Sequence, residues 1–373
     1  MHHILTLPLT SNYGGILQAY ALKSVVEKLG YPACLVEHVP QWAEKQYFSA
    51  STRIKCHQLK EIAKFLVKFL IGRPALLPTF IRYKQTERFK RRFFRRSSLD
   101  TIESSDTIIV GSDQVWRAVY ARTMGGLERY FLNFATSEQR ARSFFYAASF
   151  GSDEWEGTPQ ETERCQGCIA DFKAISVRET SGINLCRKVF GVNAIQLPDP
   201  TLLLPKEEYE DQLIHSSRTK AHHHPYAAAY ILDSSPAMTH LLESSVQFLA
   251  LPLLHLIPTG KEKKLMDRLP LSVPQWLRGI RDCECVLTDS FHGCVFSIIF
   301  NKPFICLGNE SRGRARFDSL LGTFGLQDRL VTNPTPETIQ KLIYTPIDWE
   351  RVNAIRHSEQ QRAFDFLRAN LKK

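Results

Sequence analysis

Short apolar runs that end in polar, often glycine-bearing turns and lead into helix-spaced apolar stretches recur along the whole chain. This alternation constrains the fold more than any other feature. ILTLPL (4–9) is bounded by polar turn residues. The stretch 12–30 then carries Ile16, Leu17, Ala19, Tyr20, Ala21, Val25, Val26 and Leu29 at helical spacing and stops at Gly30. ACLVEHV (33–39) is apolar again, so the chain opens β-α-β and a parallel sheet is the default. The rhythm resumes at DTIIVGSD (106–113) and FFYAASFG (144–151), followed by a helix around 159–172, the strand AISVRE (174–179) and a helix over 181–191. AIQLPDPTLLL (194–204) reads as a strand running into prolines, and Pro198, Pro200 and Pro205 mark a domain boundary. The second half repeats the grammar. Strands are expected at 226–232, 251–257, 285–290 and 302–308, helices around 236–249, 274–283, 293–300 and 312–325, and a terminal helix over about 347–372. With 373 residues the chain is long enough for two cores. The expected units are 1–200, 201–346 and a C-terminal helix, 347–373.

Charge is unevenly placed. The chain has 48 Lys and Arg against 38 Asp and Glu, a net of +10. Segment 51–98 alone holds 14 of the cations and only Glu61 and Glu87 as acids, a net of +12, which leaves −2 for the remainder. Within it, Leu59, Ile62, Ala63, Leu66, Phe69 and Leu70 form one helical stripe with Lys60, Lys64 and Lys68 off it. A second helix is expected from about Phe80 to Arg96. A basic amphipathic helical insertion of this kind argues for an anionic surface nearby, with solvated arginines and a stripe packed on the sheet as the plainer alternative. It contains no recognised nucleic-acid module.

No apolar run reaches the ~20 residues of a membrane span. The opening MHHILTLPLT lacks a charged n-region and a small-residue cleavage site, so no signal peptide is expected. Nine cysteines read as reduced cytosolic thiols. Cys165-x-x-Cys168 and Cys283-x-Cys285 do not form a standard four-ligand set, so no metal is expected, and His222 to His224 follow a polar loop.

In open α/β sheets, ligands bind beyond the carboxyl ends of the strands. Four polar clusters fall there: Asn12-Tyr13-Gly14-Gly15, Gly111-Ser112-Asp113-Gln114, Ser176-Val177-Arg178-Glu179, and Thr288-Asp289-Ser290-Phe291-His292-Gly293. Glycines in the first let a backbone approach a ligand at a helix N-terminus, though the cluster is no GxGxxG and serves equally as a tight turn with a cap. In the last, His292 is the side chain suited to proton transfer near pH 7, and a capped helix with a packed histidine is the alternative. Arg178 at a strand end can take a carboxylate or phosphate bidentately, or sit in an ordinary ion pair. Arg312, Arg314 and Arg316 make a second cationic cluster, whose bland reading is a solvated helix start.

Together NYGGILQAYAL (12–22), IIVGSDQVW (108–116), YAASFG (146–151), ISVRE (175–179), LPDPTLLL (197–204) and DSFHGCVFSIIFNKPFI (289–305) resemble the polysaccharide pyruvyl transferase family, in family order and over most of the chain. The resemblance implies two Rossmann-like domains facing across a GT-B-like cleft. It also implies transfer of pyruvate from phosphoenolpyruvate (PEP) onto two hydroxyls of a sugar, or of a lipid-linked oligosaccharide, as a cyclic ketal. No cofactor beyond the donor is implied. On this reading His292 matches the family histidine and Arg178 its strand-end arginine, with Asp113 or Asp289 as the helper carboxylate. Asn12, Tyr13, Gly14, Gly15, Ser112, Gln114, Ser290 and Gly293 then line the substrates. Better-studied members carry an arginine where this chain has Ser290, so Arg312, Arg314 or Arg316 are candidates to replace it. A nucleotide-sugar glycosyltransferase on the same scaffold, and a non-catalytic glycan-assembly protein at the membrane surface, are the competing readings. The expected location is the cytoplasm, with segment 51–98 against the inner face of the cell membrane.

Overall fold

A computed structural model of the chain describes residues 1–10, 12–37, 77–215, 224–259, 268–308 and 314–372. The expected alternation builds two parallel sheets. The first holds β1 (His2–Leu5), β2 (Ala33–Val36), β3 (Arg96–Ser97), β4 (Thr107–Val110), β5 (Phe144–Ala148), β6 (Ala174–Val177) and β7 (Ile195–Gln196), in the spatial order β3-β2-β1-β4-β5-β6-β7. The second holds β8 (Ala227–Tyr230), β9 (Leu253–His255), β10 (Cys285–Thr288), β11 (Phe304–Leu307) and β12 (Leu330–Val331), in the order β12-β11-β10-β8-β9. The order reverses between β1 and β4 in one sheet and between β8 and β10 in the other. Each is therefore a doubly wound, Rossmann-like unit with its own topological switch point.

Helices cover the sheets: α1 (Tyr13–Lys28), α2 (Leu77–Phe93), α3 (Pro159–Ile169), α4 (Thr180–Phe190), α5 (Pro236–Leu249), α6 (Val273–Arg281), α7 (Phe291–Ile299), α8 (Arg314–Phe324), α9 (Pro336–Tyr344) and α10 (Trp349–Leu371). Strand residues alternate between apolar layers, as the two-residue period requires. Leu5, Ile108, Val110 and Phe145 point into an outer core of the first unit, and Ala227, Ala229, Cys285 and Leu287 into an outer core of the second. Ile4, Ile109, Phe144, Tyr146, Ala228, Tyr230 and Val286 all join one middle core shared by both sheets. Helix α1 lies in that middle core and is buried nearly all round, so its apolar residues form no single stripe. Helix α10 returns to the first unit. Its Phe366 packs edge-on to Phe144 at 5.9 Å, and Gln360 donates to the Leu202 carbonyl at 2.8 Å.

Three expectations need correction. AIQLPDPTLLL pairs only at Ile195–Gln196. Pro198 and Pro200 offer no N–H to a ladder, and Asp199 instead caps a 3₁₀ turn over Pro200–Leu203. The expected helix to Arg96 ends at Phe93, because Phe94 is buried and Arg96–Ser97 pairs with Leu35 and Val36 as the edge strand β3. The end of the basic segment is thus part of the sheet and not an insertion, while the stripe at 59–70 lies outside the described residues. The helix expected from 293 starts at Phe291, which puts His292 and Gly293 in its first turn. Strand β12 and helix α9 were not expected at all.

The described basic helix, α2, also packs inward. Phe89 and Phe93 meet Tyr20 of α1 at 6.0 and 5.3 Å, and Lys90 pairs with Glu37 at 2.7 Å and Glu87 at 2.6 Å. Arg88, Arg91, Arg92 and Arg95 stay exposed. No helix among the described residues is long and apolar enough to cross a membrane.

Candidate active site

The two switch points face each other. Between them lies a cleft of about 250 Å³. One wall is the loop after β1 (Leu7 to Thr10, Asn12, Gly15) and the turn after β4 (Asp113, Gln114), with Tyr120 and Met124 at the mouth. The other is Leu232 after β8, residues 289–292 after β10, and Arg316 on α8. Chain reversal at a switch point leaves the carboxyl ends of two neighbouring strands uncovered, so both walls are built of loops that end parallel strands.

A buried charge centre lies behind the cleft, at a small cavity on the other side of Phe291. Arg178, at the end of β6, donates from Nη1 to Asp199 Oδ2 at 2.9 Å. Asp199 Oδ1 accepts from the Thr201 backbone N–H at 3.0 Å and its hydroxyl at 2.7 Å. His292, brought from the second unit by α7, sets Nε2 3.5 Å from the same Asp199 Oδ2, an ion-pair distance longer than a good hydrogen bond. Burial pushes the Asp199 carboxyl up. The His292 charge, then the Arg178 charge and the Thr201 hydrogen bond, outweigh it and hold the group well below the usual carboxylate range. The guanidiniums of Arg178 and Arg316 sit 4.5 and 5.8 Å from the Phe291 ring centre. Burial first, and the Arg178 charge second, push the Arg316 guanidinium down to about 10, with Glu179 and Asp113 opposing.

The Arg178 edge formed by Nε and Nη2 has no hydrogen-bond partner among the described residues, and Nε lies 3.9 Å from Glu179 Oε1. Glu179 Oε1 accepts from the Ser149 hydroxyl.

The other expected residues divide by where they point. Asn12 caps α1 through its own Oδ1 to the Gly14 N–H at 3.0 Å and borders the cleft, as do Gly15, Asp113, Gln114 and Ser290. Asp113 Oδ1 accepts the Gln114 N–H at 2.8 Å. A Cβ on Gly14 would fall on the His292 imidazole, at Nδ1, so this glycine is what lets α1 and α7 meet across the units.

Tyr13 turns away from the cleft. It stacks on Trp276 at 5.3 Å and donates to the Leu271 carbonyl at 2.6 Å, which makes it interdomain packing, worth about 0.5–1.5 kcal/mol beyond its buried area. Ser112 is fully buried and donates from N and Oγ to Gln18 Oε1 at 3.0 and 2.8 Å, so it ties β4 to α1 and is not a ligand contact. Gly293 faces Thr288, whose hydroxyl a Cβ would strike, so it serves helix-on-strand packing.

Asp289 also borders the cleft, but its carboxylate is engaged by the loop after β8. Its two oxygens accept the Leu232 and Asp233 N–H groups at 2.7 and 2.8 Å and fix the loop after β8. Arg314 is exposed and pairs with Asp318 one turn on, at 3.3 Å, while Arg312 lies outside the described residues. Of the three candidate replacements, the structure brings Arg316 to the site. Cys165 is buried in α3 with its thiol pushed up by burial, and no group of three His, Cys, Asp or Glu suited to a metal occurs among the described residues.

Asp199 was missed. Its signal was an aspartate between two prolines just past a strand, in a stretch read as β structure.

A family model described as polysaccharide pyruvyl transferase matches residues 12–311. A comparison with curated proteins gave no match. Among solved structures, the chain is similar to a glycotransferase of kitacinnamycin (12% identity, 99% of this chain and 98% of that one, TM-score 0.44). It is also similar to S. aureus MnaA with UDP (12%, 97% and 91%, 0.47) and to spinosyn forosaminyltransferase SpnP (11%, 97% and 95%, 0.44).

Proposed function

Because the match over residues 12–311 makes the chain a member of the polysaccharide pyruvyl transferase family, we propose that it transfers pyruvate from PEP to two hydroxyls of a sugar acceptor, forming a cyclic ketal and releasing phosphate. The observation that carries this reading is the meeting of Arg316 and His292 at the cleft between the facing switch points, with Arg178 behind them across the Phe291 ring. PEP is a compact trianion with a carboxylate and a phosphate. The unpartnered Nε and Nη2 of Arg178, in the small cavity behind Phe291, match the side-on fork a carboxylate takes, and Arg316 supplies a second cation at the cleft.

The chemistry then needs a proton on the donor's methylene carbon, C3, which leaves cationic character at C2. A sugar hydroxyl adds to C2, the C2–O bond to phosphate breaks, and a second hydroxyl closes the ring. The two hydroxyl protons balance the one gained at C3 and the one carried away with phosphate. On this reading His292 gives the first proton. Asp113, on the opposite wall, is placed to take one from the acceptor. The arginines stabilise charge on the departing phosphate.

Calorimetric titration with PEP tests the donor. Saturable binding is expected, weakened about tenfold or more by Arg178→Ala and by Arg316→Ala and unchanged by Arg314→Ala, whose side chain is in solvent. Binding of UDP or GDP in place of PEP would overturn the donor assignment in favour of a nucleotide-sugar enzyme.

The acceptor on this reading is a lipid-linked precursor of a cell-surface polysaccharide at the cytoplasmic face of the membrane. Support comes from the exposed Arg88, Arg91, Arg92 and Arg95. Cosedimentation with vesicles of anionic lipid is expected, and is expected to fall when these four are changed to serine. Equal sedimentation of the two proteins would remove the membrane from the proposal.

A further inference from the structure

We propose that Asp199 is a positioning residue for His292: a fixed buried anion that holds the ring proton on Nε2 and so sets the tautomer and orientation of the imidazole. This deepens the reading of the same site given above. Three observations carry it.

The first is which nitrogen faces an acceptor. The Nδ1 side of the imidazole lies against Gly14 at the start of α1, so closely that the glycine has no room for a Cβ. The helix start there presents N–H groups, not acceptors, and Asn12 Oδ1 is already used by the Gly14 N–H. A proton on Nδ1 would therefore face donors. Nε2 faces Asp199 Oδ2 at 3.5 Å.

The second is that Asp199 is an anion held in place. Its carboxylate is entirely buried and receives Arg178 on Oδ2 and two donors from Thr201 on Oδ1, so it neither reorients nor gives up its charge readily. The third is the sharing of Oδ2. One oxygen serves both the arginine proposed to take the donor and the histidine proposed to protonate it. Asp199 itself borders only the small cavity of about 20 Å³ behind Phe291, not the main cleft, so it acts through His292 and not on the substrate.

The test is the nitrogen spectrum of the His292 ring in ¹⁵N-histidine-labelled protein without any ligand, assigned by its loss in His292→Ala. The expected result is a proton-bearing Nε2 in the wild type at neutral pH. In Asp199→Asn the ring is expected to lose that preference, with the two nitrogens moving towards a mixed pattern, and in Asp199→Glu to recover at least part of it. A wild-type ring protonated on Nδ1 alone, or a pattern identical in wild type and Asp199→Asn, would overturn the proposal. The wild-type spectrum decides the first point even if the asparagine variant does not fold. No step of this test uses PEP, so absence of PEP binding would sink the donor assignment while leaving the Asp199–His292 pairing to stand or fall on the spectrum.

Discussion

Gly14→Ala is expected to lower acceptor-dependent phosphate release from PEP by about 100-fold or more while the protein stays folded. Alanine is the better helix residue by about 1 kcal/mol, and Gly14 sits at the second position of α1, so on helix propensity alone the change stabilises. What opposes it is the His292 ring, which occupies the space the new methyl group would take. The ring cannot retreat freely, because Phe291 packs edge-on beside it at 5.3 Å and the imidazole is buried. It must tilt, and a proton donor displaced by about 1 Å costs roughly two orders of magnitude. Arg178 and Arg316 are untouched, so PEP affinity is expected to stay within a few-fold of wild type. The pattern of lost turnover with retained donor binding should match His292→Ala. A folded Gly14→Ala protein with wild-type turnover would show that His292 does not deliver the proton from this position.

How far the sequence carried depends on whether a residue's role is set within one element or between elements. The strand-turn-helix grammar is local, so both Rossmann-like units and the edge on which the polar clusters sit were legible from residue spacing. His292, Asp113, Asn12 and Gln114 belong to that local pattern, and all four border the cleft. The same logic could not separate side chains that leave a turn on opposite faces. Ser112 and Asp113 are adjacent, yet one is bound inward to Gln18 and the other faces the ligand space. Asp289 looked like a helper because it is three residues from His292, but a strand end and a helix start diverge. Its carboxylate holds a neighbouring loop, and the acid that meets His292 comes from the other unit. The glycines show the same limit. Gly14 and Gly293 are both small for steric reasons, one because another unit's histidine packs on it and one because its own strand does. The basic segment read as free charge in sequence, whereas Lys90 and Arg96 spend theirs on Glu37 and Glu87.

Asp199→Ala is expected to destabilise the fold by about 3–5 kcal/mol, and adding Arg178→Met is expected to recover a large part of that loss. The asymmetry follows from what each change leaves behind. Removing the carboxylate strands a guanidinium that is almost wholly buried, with its Nη1 newly unpartnered beside Nε and Nη2, which already make no hydrogen bond. Replacing both partners removes the buried charge altogether, and methionine fills much of the volume the arginine stem leaves. Recovery should fall short by about 1 kcal/mol, because the Thr201 N–H and hydroxyl lose their shared acceptor in either protein. Urea unfolding midpoints at neutral pH provide the comparison. Acid gives an independent check of sign. Asp199 is held ionised in the folded protein well below its ordinary range, so its contribution is complete above the unfolded carboxyl value of about 4 and is lost as pH falls towards the depressed native one. Between pH 4 and 2 the wild type should therefore lose stability more steeply than the double variant, which has no such group to protonate. A double variant no more stable than Asp199→Ala, or acid curves that run parallel, would mean that Asp199 and Arg178 do not compensate one another. The charge centre behind the cleft would then have to be held by something other than this pair.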